Sequence, residues 1–449
     1  MLSHQSNKEL NWEFKPIKIP GSPINKININ RKNFIKLIFI KINRKVKYLI
    51  FKTDIYWKLL KIKYPINTPG SLIWVNPKMI NYMVINNKYE NTFADLSGVE
   101  GGNWDKNILN INTLNIFQAL YDLIINHIPL KNTKFYNPKI KNQSDIAKEG
   151  MCRSWEYISE YEYESRSKKI ESLINNIISN GYRSQFELDG LPNDEVIVKI
   201  DRDGKILFFN SIHRMCIAKI LGLQKIPVIV KTRHIKWYNF KNELLNFAKN
   251  QRIGTNHEGQ IYQKLSHPDL QDIPYTHEND DRFDAIDKNR ITHSGNLLDI
   301  GANLGFFSSR FEDIGYNCTA VETDPQLVYF MEKIKKAEEK SFKIVHDNIL
   351  EIYNKPIQFD VVLALNIFHH FIKTESNYIK FKRLLHNLKI KEMFFEPHNP
   401  EEFYAIKTYI NFNNEQFIKI IMENTGLRYC EKILDCYEGR KLYHLWSDL

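Results

Sequence analysis

Four residues in the last third of the chain have types and spacings suited to holding a ligand that carries a ribose and a charged group: Asp299, Gly301, Gly305 and Glu322. Asp299, Gly301 and Gly305 stand in "LLDIGANLGFFSSRF", where an apolar run gives way to a helical pattern. Glycine at such a turn allows left-handed torsions and close backbone approach. The helix that follows offers free N–H groups at its positive end. Glu322 closes the apolar run "TAVE" 21 residues after Gly301, where a carboxylate can accept both hydroxyls of a ribose. A nicotinamide dinucleotide does not fit. Its GxGxxG fingerprint needs glycine at positions 303 and 306, where this chain has Asn303 and Phe306.

A second set, His369, His370, Glu396 and His398, lies at or just after the ends of the apolar runs "FDVVLAL" and "KEMFF". Imidazoles and carboxylates there could move a proton. A third set, Ser211, His213 and Arg214, sits where "ILFF" meets the helical pattern of "MCIAKILGL". A guanidinium fork beside a helix start suits a phosphate.

Alternating periods of two and about 3.6 place these residues on elements. From residue 296, strand-like and helix-like stretches alternate, which implies a parallel sheet with helices on both faces. The last piece, "RYCEKILDCYEGRKLYHLWS", reads as an antiparallel hairpin around Glu438-Gly439-Arg440. Earlier, residues 165–180 carry a helical stripe ended by Asn180-Gly181, and "EVIVKIDRDGKILFFN" reads as a hairpin turning at Arg202-Asp203-Gly204. Residues 250–290 are polar and read as a linker or surface helix.

Residues 290–449 resemble the class I S-adenosylmethionine-dependent methyltransferases. "LDIGANLG" looks like that family's first motif and "FDVVLALNIFHHF" like its fourth; the terminal hairpin looks like its last two strands. The resemblance implies S-adenosylmethionine as cofactor, held by Asp299, Gly301, Asn303, Gly305, Glu322, Asp347 and Asn366. Base amino-methylation in the family uses an [N/D/S]-P-P-[Y/F] sequence where this chain has Asn366-Ile367-Phe368-His369. Cytosine methylation needs a Pro-Cys dipeptide, which the chain lacks. An oxygen acceptor is expected instead, with His369, Glu396 and His398 as the candidate catalytic residues and no metal.

Residues 195–231 resemble the ParB/sulfiredoxin-like superfamily, in which a strand, a turn ending in His-Arg and a helix bind nucleotide phosphates. The resemblance implies phosphate binding by Ser211, His213 and Arg214, with ATP or another nucleotide as ligand and a kinase-like second active site. Ser211 replaces the family's glycine, and Ile212 replaces the reactive cysteine of sulfiredoxins. The pairing of this module with a methyltransferase, together with "GGNWD" and "SLIWVNP", resembles proteins of surface-polysaccharide gene sets. A sugar or glycan acceptor is therefore expected. The competing reading is a nucleic-acid-binding module with an attached methyltransferase, and a third is a scaffold whose Rossmann domain is inactive.

Charge separates the classes. The net charge is +11 over 449 residues, but residues 1–89 carry 17 Lys and Arg against three acids, and the other 360 carry 46 against 49. A basic footprint spread over a domain, as nucleic-acid binding requires, is not supported. Residues 31–63 form a basic amphipathic pattern that suits docking on the next domain or on an anionic membrane surface. Five cysteines without a CxxC pair imply a reducing compartment and neither a disulfide framework nor a zinc site. A cytoplasmic, membrane-peripheral protein acting on a small-molecule or glycan substrate is the expectation.

The expected fold is α/β. A C-terminal Rossmann-like seven-stranded methyltransferase sheet with a terminal antiparallel hairpin (291–449) follows a linker (246–290), a smaller α+β ParB-like domain with an N-terminal extension (71–245) and a basic arm (1–70).

Overall fold

A computed structural model of the chain describes residues 72–85, 98–133, 160–185, 195–253, 257–352, 355–398, 408–436 and 439–448. The basic arm and the helix expected over 31–63 lie outside these residues. Two compact units divide the chain at Phe240 and Lys241.

The first unit is built on a mixed seven-stranded sheet. Its strands are β1 (Leu72–Val75), β2 (Tyr82–Val84), β3 (Gly98–Glu100), β4 (Ile108–Asn110), β5 (Val196–Ile200), β6 (Ile206–Asn210) and β7 (Ile226–His234). They run in the order β1-β7-β5-β6-β2-β4, with β3 also paired to β7. Helices α1 (Asn115–Ile124), α2 (Glu160–Asn180) and α3 (Ile212–Ile220) accompany the sheet, and α4 (Ile235–Asn250) begins where β7 ends. The expected hairpin is present as β5–β6. Its turn is tied by the Asp201 carboxylate, which accepts from the backbone N–H of Asp203 and of Lys205, both at 2.8 Å. Gly204 has φ +95°, and a Cβ there would lie 2.3 Å from the Trp237 ring, so only glycine fits. Helix α2 ends at Asn180, with Gly181 at φ 84° just beyond it.

The second unit starts earlier than the sequence suggests. Short strands β8 (Arg252–Ile253), β9 (His257–Glu258), β10 (Ile261–Gln263) and β11 (Tyr275–His277) and helix α5 (Asp280–Asn289) occupy the segment expected as a linker. Phe283 and Ile286 of α5 are buried in the core of this unit. The polar surface of "DDRFDAIDKNR" masks two apolar residues at a three-residue spacing, one helical face.

The main sheet of this unit contains β12 (Gly295–Ile300), β13 (Tyr316–Glu322), β14 (Lys343–His346), β16 (Val361–Leu365), β18 (Glu392–Glu396), β19 (Tyr429–Asp435) and β20 (Lys441–Trp446), with β15 (Ile357–Gln358) and β17 (Leu388–Lys389) paired apart. Its order is β14-β13-β12-β16-β18-β20-β19. The first five run parallel, and the last two form the expected antiparallel hairpin. Helices α6 (Phe306–Asp313), α7 (Pro325–Ala337), α8 (Ile349–Ile352), α9 (Glu375–Asn387) and α10 (Asn414–Thr425) complete the layers. Strand alternation divides the core in two. Leu298, Ile300, Val362 and Phe395 pack with Leu384 and Phe417 of α9 and α10. Leu297, Val361, Leu363 and Phe394 pack with Phe307 and Phe311 of α6 and Phe283 of α5.

The chain leaves β12 toward β13 and β14 on one side, then returns to β16 and β18 on the other. The loops after β12 and β16 flank this reversal at the carboxyl ends of the strands, which is where open α/β sheets bind ligands in a crevice.

Candidate active site

The loop after β12 is a chain of left-handed residues: Gly301 (φ 72°), Asn303 (φ 54°) and Gly305 (φ 81°). Gly301 and Ala302 both donate their N–H to the Val321 carbonyl, at 2.9 and 3.1 Å, so the loop folds back over the end of β13. A Cβ on Gly301 would meet Ile367 of the facing loop at 2.8 Å. Glu322 stitches the two strand ends together. Its Oε2 accepts from Asn303 N–H at 2.9 Å, and its Oε1 accepts from the N–H of Thr323 (2.7 Å) and of Asp324 (3.1 Å). Asp347 follows β14, exposed, with its N–H donated to the Glu322 carbonyl at 3.2 Å. Glu322 and Asp347 are thus brought side by side at the rim of the crevice.

Asp299 is not at that rim. Alternation turns it into the core beside α6, where Ser308 Oγ donates to its Oδ2 at 2.8 Å. Burial pushes its carboxyl up to about 7, with the Glu322 charge adding to the rise. The expectation that Asp299 faces a ligand is corrected: it anchors the first helix beneath the loop.

Two buried acceptors mark the crevice itself. Asn303 Oδ1 and Asn366 Oδ1 are buried and have no hydrogen-bond partner among the described residues. They stand on the loops after β12 and β16, and Asn366, like Asn303, is left-handed (φ 55°). Stranding two amide oxygens costs about 1–3 kcal/mol each unless a donor reaches them. A polar ligand bearing N–H or O–H groups between the loops fits this arrangement.

Beyond β16, a short 3-10 helix (Phe368–Ile372) carries His369 and His370, and His398 follows β18. The His369 ring lies 4.0 Å from that of His370 and 5.4 Å from that of His398, centre to centre. Burial pulls His369 down to about 2 and His398 to about 4, so the imidazoles are neutral at pH 7. Glu396 has a different role from the one its position suggests. It is buried in an ion pair with Arg282 of α5 (2.9 Å), and Arg440 lies 3.9 Å away. These contacts tie Glu396 to α5 and to the start of β20, a positioning arrangement at the end of β18.

Sequence reasoning missed Tyr262 and Arg282, both in the presumed linker. The Tyr262 hydroxyl receives Asn366 Nδ2–H at 2.9 Å and Arg440 Nη1–H at 3.3 Å, and its ring stacks edge-on against His277. The available signal was the apolar residue at Ile261 in "GQIYQKL", too short to read as a strand.

Residues 298–388 match the family model described as "Methyltransferase domain". The chain carries a methyltransferase domain. Over 76 residues it is 37% identical to the ribosomal RNA small subunit methyltransferase G of Mycoplasmopsis pulmonis (strain UAB CTIP), which covers 16% of this chain and 33% of that protein. The chain thus spans about a third of the curated relative it matches. Among solved structures, the bifunctional kinase-methyltransferase WbdD is similar at 17% identity and a TM-score of 0.37, over 46% of each chain. The PH0226 protein from Pyrococcus horikoshii OT3 is similar at 13% identity and a TM-score of 0.28, over 38% of this chain and 92% of its own. The methyltransferase domain begins within β12, so every strand-end residue described above except those on β18 and beyond lies inside the match.

In the first unit the His-Arg set is brought together. Ser211 adopts φ 73°, the left-handed position for which the resembling family keeps glycine, and its Oγ donates to the Glu195 carbonyl at 2.8 Å. Burial, with repulsion from Arg166, lowers His213 to about 4, so it is neutral at pH 7. With the Gln185 amide oriented to satisfy both groups, its oxygen accepts from both Arg214 nitrogens at 2.8 and 2.7 Å. Arg214 also attracts the Glu195 carboxylate, which burial otherwise raises. Ser211, His213 and Arg214 thus stand together at the turn into α3, with Ser211 and Arg214 also hydrogen-bonded within the fold.

Proposed function

We propose that the second unit transfers a methyl group from S-adenosylmethionine to an oxygen of a sugar, glycan or related metabolite. The pair of buried, unsatisfied amide oxygens at the strand-order reversal carries this reading. The cofactor supplies an electrophilic methyl group on a sulfonium. Gly301, Asn303 and Gly305 would cradle it, Glu322 would accept its ribose hydroxyls, Asp347 would meet the base, and Asn366 would contribute its free oxygen. Both positions need glycine to keep the loop in this shape, since a Cβ on Gly301 would collide with Ile367 and one on Gly305 with Met331.

The acceptor end is built from His369, His398 and Tyr262. His369 and His398 are both neutral at pH 7, so each could accept a hydrogen bond from the acceptor hydroxyl and aim its oxygen at the methyl group, while the burial that keeps them neutral makes them weak bases. Tyr262 fixes Asn366 on one side and Arg440 on the other. Arg282 pairs with Glu396 and ties the end of β18 to α5. The absence of a Pro-Cys dipeptide and of the [N/D/S]-P-P-[Y/F] sequence supports oxygen over a nucleobase, and the resemblance of "GGNWD" and "SLIWVNP" supports a sugar. The first unit is read, on the resemblance of residues 195–231, as a ParB-like module for a phosphate or nucleotide.

The competing acceptor is RNA, favoured by the name of the relative matched over 76 residues. Titrations with S-adenosylmethionine, followed by methyl transfer from labelled cofactor to a panel of sugars and to ribosomal RNA, test the reading. Transfer to RNA and to no sugar would replace the proposed acceptor. Failure to bind the cofactor would remove the proposal.

A further inference from the structure

Tyr262 stands on β10 with its ring and its hydroxyl both fixed. Its strand neighbours Ile261 and Gln263 are buried and in register with Tyr275 and His277 of β11. The His277 ring meets the Tyr262 ring edge-on, 4.4 Å away between centres. Around the hydroxyl, Asn366 Nδ2 lies at 2.9 Å and Arg440 Nη1 at 3.3 Å. Arg440 is buried in turn, 3.9 Å from the Glu396 carboxylate that Arg282 pairs at 2.9 Å.

These partners decide what the hydroxyl can still do. A guanidinium has only donors, and Asn366 presents its amide nitrogen, so both contacts fall on the lone pairs of the phenol oxygen. With those taken, the O–H can act only as a donor, and no acceptor among the described residues receives it. Its neighbour Asn366 lies on the loop after β16 that flanks the strand-order reversal. Burial is the main cause of the low His369 and His398 values, and the charge of Arg440 adds to both, so the guanidinium that meets Tyr262 also lies close to these two rings.

A methyl acceptor placed here meets one donor, the Tyr262 O–H, and neutral imidazoles that can accept. An alcohol uses both and still reacts. It gives its hydrogen to an imidazole, and of its two lone pairs one receives the Tyr262 O–H and the other faces the methyl carbon. In the transfer that second pair forms the carbon–oxygen bond as the carbon–sulfur bond breaks and its electrons stay on sulfur. The hydroxyl proton, made strongly acidic by the new bond, leaves through the imidazole to water. A neutral amine has hydrogens to give but a single lone pair. If Tyr262 takes that pair the amine cannot attack, and if the amine attacks, the Tyr262 O–H is stranded. We propose that Tyr262 is a specificity-determining residue that selects a hydroxyl over an amine at the methyl-accepting position. The proposal rests on the methyl-transfer reading of the second unit and narrows its acceptor.

Methyl transfer from labelled S-adenosylmethionine by the full chain tests it, on wild type and Tyr262→Phe. The probes are the methyl glycosides of glucose, galactose and mannose and the analogues of each with one hydroxyl at a time replaced by an amine, at a pH where the amines are neutral. The variant keeps the ring, so its thermal midpoint and its calorimetric affinity for the cofactor should match wild type. Its kcat/KM for the hydroxyl acceptor should fall about tenfold, the worth of one hydrogen bond to a substrate group, while kcat/KM for the amine at the same position should hold or rise. A role in folding alone would lower both together. Selectivity that survives in the variant, as an unchanged ratio or as no amine transfer by either protein, overturns the proposal. So does weakened cofactor binding with the ratio unchanged, which would assign the O–H to the cofactor. Transfer by wild type to none of the hydroxyl probes would instead remove the sugar-acceptor reading itself, and the proposal with it.

Discussion

Asp299 gives the second unit a stability that depends on pH in an unusual direction. Its carboxyl is raised from 3.8 to about 7, so between those values the folded state holds a proton that the unfolded state has released. Stability attributable to this group is full below about pH 4 and is lost as pH rises toward 7, at about 1.4 kcal/mol per pH unit. Over the whole interval the loss is about 4 kcal/mol, and above pH 7 it levels off. Asp299→Asn keeps an acceptor for Ser308 Oγ and removes the titration. The variant should match wild type near pH 4 and exceed it by about 2–4 kcal/mol at pH 8. Hydrogen exchange at the β12 and α6 amides reads this unit separately from the first, and the variant-minus-wild-type difference at each pH cancels every other titrating group. A difference that stays constant from pH 4 to 8, or that grows toward acid, would refute the argument that burial keeps this carboxyl protonated.

Other perturbations follow from single contacts. Arg282→Met strands the buried Glu396 carboxylate and should cost about 3–5 kcal/mol in urea denaturation, while the double change Arg282→Met, Glu396→Leu should recover most of it. Gly204→Ala forces a Cβ against Trp237 at φ +95° and should destabilise the first unit by more than about 2 kcal/mol, read as a lowered thermal midpoint. Tyr262→Phe keeps the ring and removes the hydroxyl that joins Asn366 to Arg440; methyl transfer should fall about tenfold at unchanged thermal stability. His369→Ala should lower kcat by about 10²-fold or more with cofactor affinity unchanged.

The legible parts of this chain are those where local chemistry and global fold agree. Glycines at 301 and 305 follow from a backbone requirement, and the alternation from residue 296 onward, closed by a hairpin, implies the parallel strands and the antiparallel end that the main sheet shows. Asp299 was assigned to the right strand end but the wrong environment. The motif fixes its position, whereas its hydrogen bond to Ser308 depends on how α6 packs against that face of β12. Glu396 shows the same limit. Its place after an apolar run is visible in the sequence, but its pairing with Arg282, 114 residues earlier, is not. The segment around Tyr262 and α5 was hidden because two-to-three-residue strands and an acidic helix surface carry almost no periodic signal.

The most direct test of the account is calorimetric titration of S-adenosylmethionine into wild type and into Gly301→Val, with folding of both checked by near-ultraviolet circular dichroism. The account predicts micromolar binding to wild type, lost in the variant, whose side chain would enter the space between Gly301 and Ile367. No binding to well-folded wild type would contradict the claim that the crevice between the β12 and β16 loops is a cofactor site.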